Sequence, residues 1–374
     1  MKEDALYQLA LGSIPGIGPV YARRLLHRFG EARSVFHAPE AALADVLGKK
    51  SKRAYDIAHF KAFSAVEKEQ AFLDRYSIRS FFLTDQHYPQ RLLRCPDAPI
   101  LLFFKGHTDL NASRIISIIG TRSPSDYGKQ ATEKLVKDMT SLPGTLIISG
   151  LAYGIDAISH QAALKYHLPT VGVLGHGLDQ IYPREHASLA REMLKTGGLL
   201  TKFGTATRPD AYNFPIRNRI VAGISDAVIV TETRPRGGSM LTVENALAYH
   251  RKVFAIPGRI TDERSSGCNV LIREGKARLL TGAAQLMEEM NWQKPSPTPG
   301  VGQASLFPTA KEGSGLSDEE WSLLQLFREK KALSISDIHA QGRQSAGLLA
   351  ITLLNLELLG HISSLPGKMY RLCE

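Results

Sequence analysis

Six short runs of apolar and β-branched residues recur through the middle of the chain, at 115–119, 145–149, 170–174, 199–202, 227–231 and 253–256, with helical patterns between most of them. Each run is almost continuously hydrophobic rather than alternating, which is the pattern of a strand covered on both faces. Such strands joined by helices make a parallel sheet with helices on either side. The chain is therefore expected to be α/β, a Rossmann-like doubly wound parallel sheet with its core at about 110–290. Extended pieces around Ser80-Phe81-Phe82-Leu83 and at 100–105 enlarge that domain to 80–290.

The flanks read differently. Residues 1–75 have apolar residues at helical spacing, broken by Gly and Pro, and predict a small helical domain. Within it, Gly16-x-Gly18 stands between two helical patterns in the manner of a helix-hairpin-helix or SAM-like domain, whose turn amides can reach a DNA phosphate or serve only a protein contact. Residues 293–315 are rich in Pro, Gly and Ser and have no periodicity, as in a linker. Residues 316–374 follow a winged-helix pattern: a capping box at Ser317 and Glu320, a short helix near Asp337, a long helix over 344–359, and two strands about the turn at Pro366-Gly367. The long helix has no basic residue after Arg343, so it is poorly equipped for a DNA groove, and a protein contact or structural role is expected of it.

Lys and Arg (46) exceed Asp and Glu (36), a net charge of +10. Thirteen basic against seven acidic residues fall within 200–280, so +6 of that surplus is concentrated in one region, which points to a polyanionic partner there. The three cysteines, Cys95, Cys268 and Cys373, are widely spaced and fit neither a disulfide framework nor a zinc site, and the twelve histidines show no ligand spacing. No apolar stretch approaches the roughly 18 residues of a membrane span, and the opening Met1-Lys2-Glu3-Asp4 lacks the positive charge of a signal peptide. A cytoplasmic protein with reduced thiols, without metal, cofactor or membrane association, is expected.

In an open parallel sheet, ligands bind where the strand ends meet the following turns. Four such turns here suit an anion. Gly120-Thr121-Arg122 puts a guanidinium at a strand end. Gly150 to Asp156 form a glycine-bearing turn into a helix, with Asp156 expected to cap a helix beginning at Ala157. Arg217, Asn218 and Arg219 crowd the first turn of another helix after Phe214 and Pro215, where the dipole disfavours cations unless something negative compensates. Arg217 and Arg219 stand roughly 200° apart around that helix, so they cannot grip the same phosphate. Gly237, Gly238 and Ser239 can form an N–H nest, with Arg234 and Arg236 beside it.

The dinucleotide fingerprint GxGxxG, the P-loop GxxxxGK[ST] and the GxSxG elbow are all absent, and no nucleophile or metal motif stands near these turns, which favours binding over catalysis. One rival enzyme reading survives: residues 237–246 are loosely similar to the turn of Rossmann-like nucleotide phosphoribohydrolases, with Glu244 as the catalytic carboxylate. A second rival is a double-strand or branched-DNA binder working through the N-terminal hairpin.

Taken in order, Ile119-Gly120-Thr121-Arg122, the segment from Ser149 to Asp156, that from Val173 to Pro183, Phe214-Pro215-Ile216-Arg217-Asn218-Arg219, Gly238-Ser239, the segment from Val253 to Gly258 and Gly267-Cys268-Asn269 resemble the DNA-processing protein A (DprA/Smf) family over about 80–285. The resemblance implies a non-catalytic bacterial protein that binds single-stranded DNA, forms a homodimer through the Rossmann-like domain and loads the RecA recombinase in natural transformation or recombination. Carried over position by position, it implies a DNA pocket containing Arg122, Phe214, Arg217, Asn218 and Arg219 with the turn at Gly238 and Ser239. Where the family usually has Ser-Glu-Tyr, this chain has Thr201-Lys202-Phe203. Either Lys202 reinforces the pocket, or an arginine has lost an acidic partner. His176 stands where small or thiol side chains are frequent. The expected mechanism is electrostatic capture by arginines and amides, with Phe214 either stacking on a base or only stapling the entry of its helix, so that loss of Arg122 or Arg219 weakens binding.

Overall fold

The structure, a computed structural model, describes residues 2–49, 51–292, 318–329, 333–334, 337–338, 346–359, 361–365 and 369–372. It divides into two compact units, Met1–Lys294 and Pro295–Glu374.

Six helices open the first unit: α1 (Lys2–Ser13), α2 (Pro19–Phe29), α3 (Ala32–His37), α4 (Glu40–Leu47), α5 (Lys52–Ala58) and α6 (Phe63–Arg75). The second of them shows why the sequence folds this way. Pro19 begins it, where no intrahelical N–H is lost. Ala22, Leu25 and Leu26, at helical spacing, are its buried residues, and Gly30 ends it at φ +87°, its amide donating to the Leu26 carbonyl. Gly16, at φ +80°, makes the turn before it.

The sheet comprises β1 (Arg79–Phe82), β2 (Leu101–Gly106), β3 (Arg114–Ile119), β4 (Thr145–Ser149), β5 (Thr170–Val173), β6 (Gly198–Thr201), β7 (Ala227–Val230), β8 (Lys252–Ala255) and β9 (Arg278–Leu279). Their order is β1-β2-β6-β5-β4-β3-β7-β8-β9. From β3 to β9 the pairing is parallel, whereas β2 runs antiparallel to both β1 and β6. The helices between are α7 (Gln90–Leu93), α8 (Asp126–Asp138), α9 (Ile155–Lys165), α10 (Ala187–Thr196), α11 (Asn213–Gly223), α12 (Ser239–Ala248), α13 (Ser266–Arg273) and α14 (Ala283–Met290). Alternate residues serve the two faces. Ile115, Ile119, Leu146, Ile148, Val228 and Val230 enter one core, and Ile116, Ile118, Ile147, Ala227 and Ile229 the other. A fully buried Ile or Val contributes ~1.5–3 kcal/mol, which makes the continuous apolar runs the main source of the sheet's stability.

The result is an α/β fold with a mostly parallel sheet. The six expected strands are present with ends shifted by no more than a residue, while the two-residue β9 had no periodicity to announce it. The chain winds from β3 outward to β4, β5 and β6, then returns to β7 on the other side of β3. The crevice above β3 and β7 is therefore a topological switch point, where loops diverge and leave room for a ligand.

The second unit contains α15 (Asp318–Glu329), β10 (Leu333–Ser334), α16 (Ala346–Leu358), β11 (Ile362–Leu365) and β12 (Met369–Leu372). Its strands pair antiparallel in the order β10-β12-β11. Leu324, Phe327, Leu353, Leu356 and Ile362 lie in its core. The antiparallel pair β11 and β12 thus follows the long helix. The expected linker at 293–315 and the cap at Ser317 lie outside the described residues.

No helix among the described residues is long and apolar enough to cross a membrane. Cys95 and Cys268 are buried free thiols, and burial pushes the Cys268 thiol up to about 12, leaving it protonated.

Candidate nucleic-acid interface

A cavity of about 490 Å³ lies at the switch point. Gly120, Thr121 and Arg122 line it from the turn after β3, Gly150 from the turn after β4 with Asp156 at the start of α9, and Gly237 and Gly238 from the turn after β7 with Ser239 at the start of α12. The N-terminal half of α11 closes the remaining side with Phe214, Arg217 and Asn218, and because the helix begins at Asn213 the latter two stand in its second turn rather than in the expected first. Ten of the thirteen expected residues are thereby brought together from four segments, and the other three stand elsewhere.

The turns interlock through their backbones. Thr121 N–H donates to the Glu232 carbonyl at 2.7 Å and its own carbonyl accepts from Ile155 N–H at 3.1 Å. Gly154, at φ +76°, comes so close that a Cβ there would lie 2.3 Å from the Thr121 carbonyl oxygen. A side chain at 154 would therefore push the two loops apart. α9 starts at Ile155 with Gly154 at its N-cap, two residues earlier than expected. Asp156 is consequently inside the helix and is not its cap. Its carboxylate instead turns back and accepts from Gly150 N–H at 3.1 Å and Ala152 N–H at 3.3 Å.

Arg217 is 5% exposed. Its Nη1 donates to the Val173 carbonyl at 3.1 Å, and its Nε is buried without a hydrogen-bond partner. Burial pushes the Arg217 guanidinium down and the Asp156 carboxyl up, and each charge opposes the shift of the other. The guanidinium stays charged, because its ordinary pKa is far above neutrality. Arg122, by contrast, is exposed and makes no ion pair among the described residues. The guanidinium carbons of Arg122 and Arg217 stand 5.8 and 5.9 Å from the centroid of the Phe214 ring. An aromatic face flanked by two cations is suited to an anion that carries a flat group.

At the far wall, Thr233 organises the glycine turn. Ser239 Oγ donates to Thr233 Oγ1 at 2.6 Å, and that hydroxyl donates in turn to the Arg234 carbonyl at 3.1 Å. No side chain caps α12, so its N-terminal dipole is left to the cavity. Arg234 lines the cavity and pairs with Glu263 at 2.9 Å. Arg236, expected beside the glycine turn together with Arg234, is exposed and outside the lining. Thr233 and Arg234 complete the wall, and a strand-end hydroxyl before a Gly-Gly turn is the only sign of Thr233 in the sequence.

Arg219 and Lys202 do not join this cavity. Two positions beyond Arg217, Arg219 lies on another face of α11 and bonds Asp97 at 3.2 Å, and Tyr249 Oη donates to the same carboxylate at 2.6 Å. Lys202 is half-buried nearby, where burial and the neighbouring Arg219 hold its ammonium below the usual lysine range against the pull of Asp97. It lines a separate, largely apolar cavity of about 540 Å³ together with Ile17, Gly18 and Pro19 of the N-terminal hairpin. The acidic partner of Arg219 is thus supplied by Asp97. Glu244 is exposed on α12 and is not part of the switch-point lining. The sole carboxylate lining that cavity is Asp156, which is occupied by two backbone amides.

The sequence model of the family described as DNA recombination-mediator protein A matches residues 79–291. Protein Smf of Synechocystis is 31% identical over an alignment spanning 99% of this chain and 99% of its own length. The X-ray structure of DNA processing protein A from Streptococcus pneumoniae superposes with a TM-score of 0.66 at 32% identity, covering 77% of this chain and 98% of that one. A structure of DNA processing protein A from Helicobacter pylori, whose subject is its single-stranded DNA binding mode, gives a TM-score of 0.52 at 28% identity over 57% of this chain and 95% of that one.

Proposed function

The chain belongs to the DNA recombination-mediator protein A family, and on that premise we propose that it binds single-stranded DNA in the switch-point cavity and acts as a recombination mediator. The observation that carries this reading is Phe214 set between Arg122 and Arg217 at a cavity whose only lining carboxylate is already bonded to backbone. An unpaired base can stack on the ring, contributing ~1–3 kcal/mol, while the guanidinium groups neutralise the adjoining phosphates. A duplex keeps its bases paired and stacked inside, so none reaches the ring without being flipped out at a cost of a few kcal/mol. The H. pylori relative, studied for its single-strand binding mode, supports the same assignment.

Mediation follows from this chemistry in a simple way. A protein that holds a strand by phosphates and one face of a base leaves the strand's sequence unread, so it can present any sequence to a recombinase. RecA is the recombinase the family resemblance implies, and a homodimer through the sheet domain would present two such cavities. The phosphoribohydrolase reading requires a carboxylate where the cavity holds none free, since Glu244 lies outside it. The proposal is tested by competing a labelled oligothymidylate with unlabelled single-stranded and duplex DNA at two salt concentrations. Preference for the single strand, falling steeply with salt, is expected. Equal competition by duplex, or unaltered binding by both Arg122→Ala and Phe214→Ala, overturns it.

A further inference from the structure

Phe214 lines a second, shallow depression besides the switch-point cavity, and Arg122 lines both. The depression is bounded by Tyr182, whose ring centroid is 6.2 Å from that of Phe214 with the planes 32° apart. Tyr182 is 47% exposed, and its hydroxyl has no hydrogen-bond partner among the described residues. Tyr182 therefore presents its ring beside a cationic cleft, with its hydroxyl unused.

Its backbone, however, is held from below. His176 is 1% exposed, and its Nδ1 lies 2.8 Å from the Gly177 carbonyl, so Nδ1 carries the proton and donates. Nε2 is then the acceptor for Tyr182 N–H at 3.2 Å. Burial lowers the proton affinity of the ring, which keeps the imidazole in this neutral form. A smaller residue at 176 would leave the Tyr182 amide without this support.

We infer that Tyr182 is a second stacking platform, next to Phe214, for the adjacent nucleotide of the bound single strand, and that His176 is the residue positioning it. The inference rests on the proposed single-strand reading. Stacked nucleotides in a strand rise about 3.4 Å per step. A strand drawn out beyond that can lay successive bases on rings 6.2 Å apart. Arg122, which borders both depressions and is free of any ion pair among the described residues, is placed for the phosphate joining the two nucleotides.

The experiment is a fluorescence-anisotropy titration of the full chain with a 20-residue oligothymidylate. Tyr182→Ala is expected to weaken binding about 5- to 150-fold, and Tyr182→Phe to retain it, since the ring and not the hydroxyl is used. Tyr127→Ala serves as the control: it is equally exposed at 47%, but outside both depressions. It should bind as the parent does. His176→Ala is expected to cost affinity in the parent and nothing further in the Tyr182→Ala background, a coupling that general loosening of the fold would not produce. Unchanged binding by Tyr182→Ala, an equal loss in Tyr127→Ala, or additive losses in the double variant each overturn the inference. Phe214→Ala separates the two levels. If it weakens binding while Tyr182→Ala does not, only the second platform fails, and if neither matters, the reading of the cavity fails with it.

Discussion

A Cβ built on Gly150 would stand 1.5 Å from Nη1 of Arg217 and 2.7 Å from Oδ2 of Asp156. The guanidinium thus passes directly over the glycine, and the lack of a side chain at 150 is what allows a charged group to lie buried at the cavity floor. In Gly150→Ala the methyl group displaces Arg217 from the Val173 carbonyl. Overpacking of this kind costs about 1–3 kcal/mol, and the displaced cation no longer flanks Phe214. Chemical denaturation and oligothymidylate titration should therefore show joint losses of stability and of affinity. An alanine variant matching the parent in both would mean that Arg217 is not confined as described.

The two exposed arginines that the sequence treats alike are set apart by their partners. Arg122 borders the cavity unpaired, whereas Arg219 is bonded to Asp97 on another face of α11. Arg122→Ala should weaken single-strand binding and flatten the slope of log affinity against log salt by about 0.7 for the phosphate no longer neutralised. Arg219→Ala should leave that slope as it is. Anisotropy titrations over a salt series decide the matter, and equal flattening in both variants would place DNA on the Asp97 side as well.

The contrast also marks how far the sequence could be read. Strands β3 to β8 are legible because both faces of each are buried, so hydrophobicity alone reveals them. The four anion-suited turns are legible because glycine and arginine at a strand end have few other uses. The orientation of Arg219 is not, because Asp97 lies 122 positions earlier and reaches α11 only through the folding of the segment between β1 and β2. Asp156 reads as a cap because an acid after glycine ordinarily is one, and nothing local discloses that its carboxylate must turn back under a guanidinium delivered by α11. Tyr182 is a plain aromatic until the ring of Phe214 is seen beside it.

Acid should destabilise the first unit through His160. This residue on α9 is fully buried, and burial, with the charges of His186 and Arg217 adding to it, lowers its pKa to about 3. Thr170 Oγ1 donates to the Ile147 carbonyl and accepts from His160 Nδ1 at 2.6 Å, while Nε2 has no partner. As pH falls below the ordinary histidine value of about 6.5, the unfolded chain takes up a proton that the native state refuses until about pH 3. The contribution is thus complete above pH 6.5 and is lost on acidification by up to ~1.4 kcal/mol per pH unit. Denaturation curves from pH 7 to 4 should fall less steeply for His160→Leu than for the parent. Parallel curves would show that the imidazole protonates freely.

The position of Arg122 depends in turn on a carboxylate that does not touch the cavity. Glu232 follows β7, is fully buried, and accepts from Ser125 N–H at 2.9 Å and from Ser125 Oγ at 2.5 Å. Ser125 Oγ also accepts from Gly128 N–H at 3.1 Å, capping α8. One acid just past the strand beside β3 therefore anchors the far end of the loop whose near end carries Arg122. The fit is close: a Cβ on Gly128 would fall 2.3 Å from Glu232 Oε2. In Glu232→Gln one acceptor becomes a donor, so the two bonds from Ser125 cannot both survive. Loss of a hydrogen bond to a charged group costs about 1.5–3 kcal/mol. Faster hydrogen exchange at the amides of residues 120–128 is expected, together with weaker single-strand binding, although no contact with the ligand is removed. Unaltered exchange in that loop would show that Arg122 is held by other means, and the affinity of the variant should then equal that of the parent.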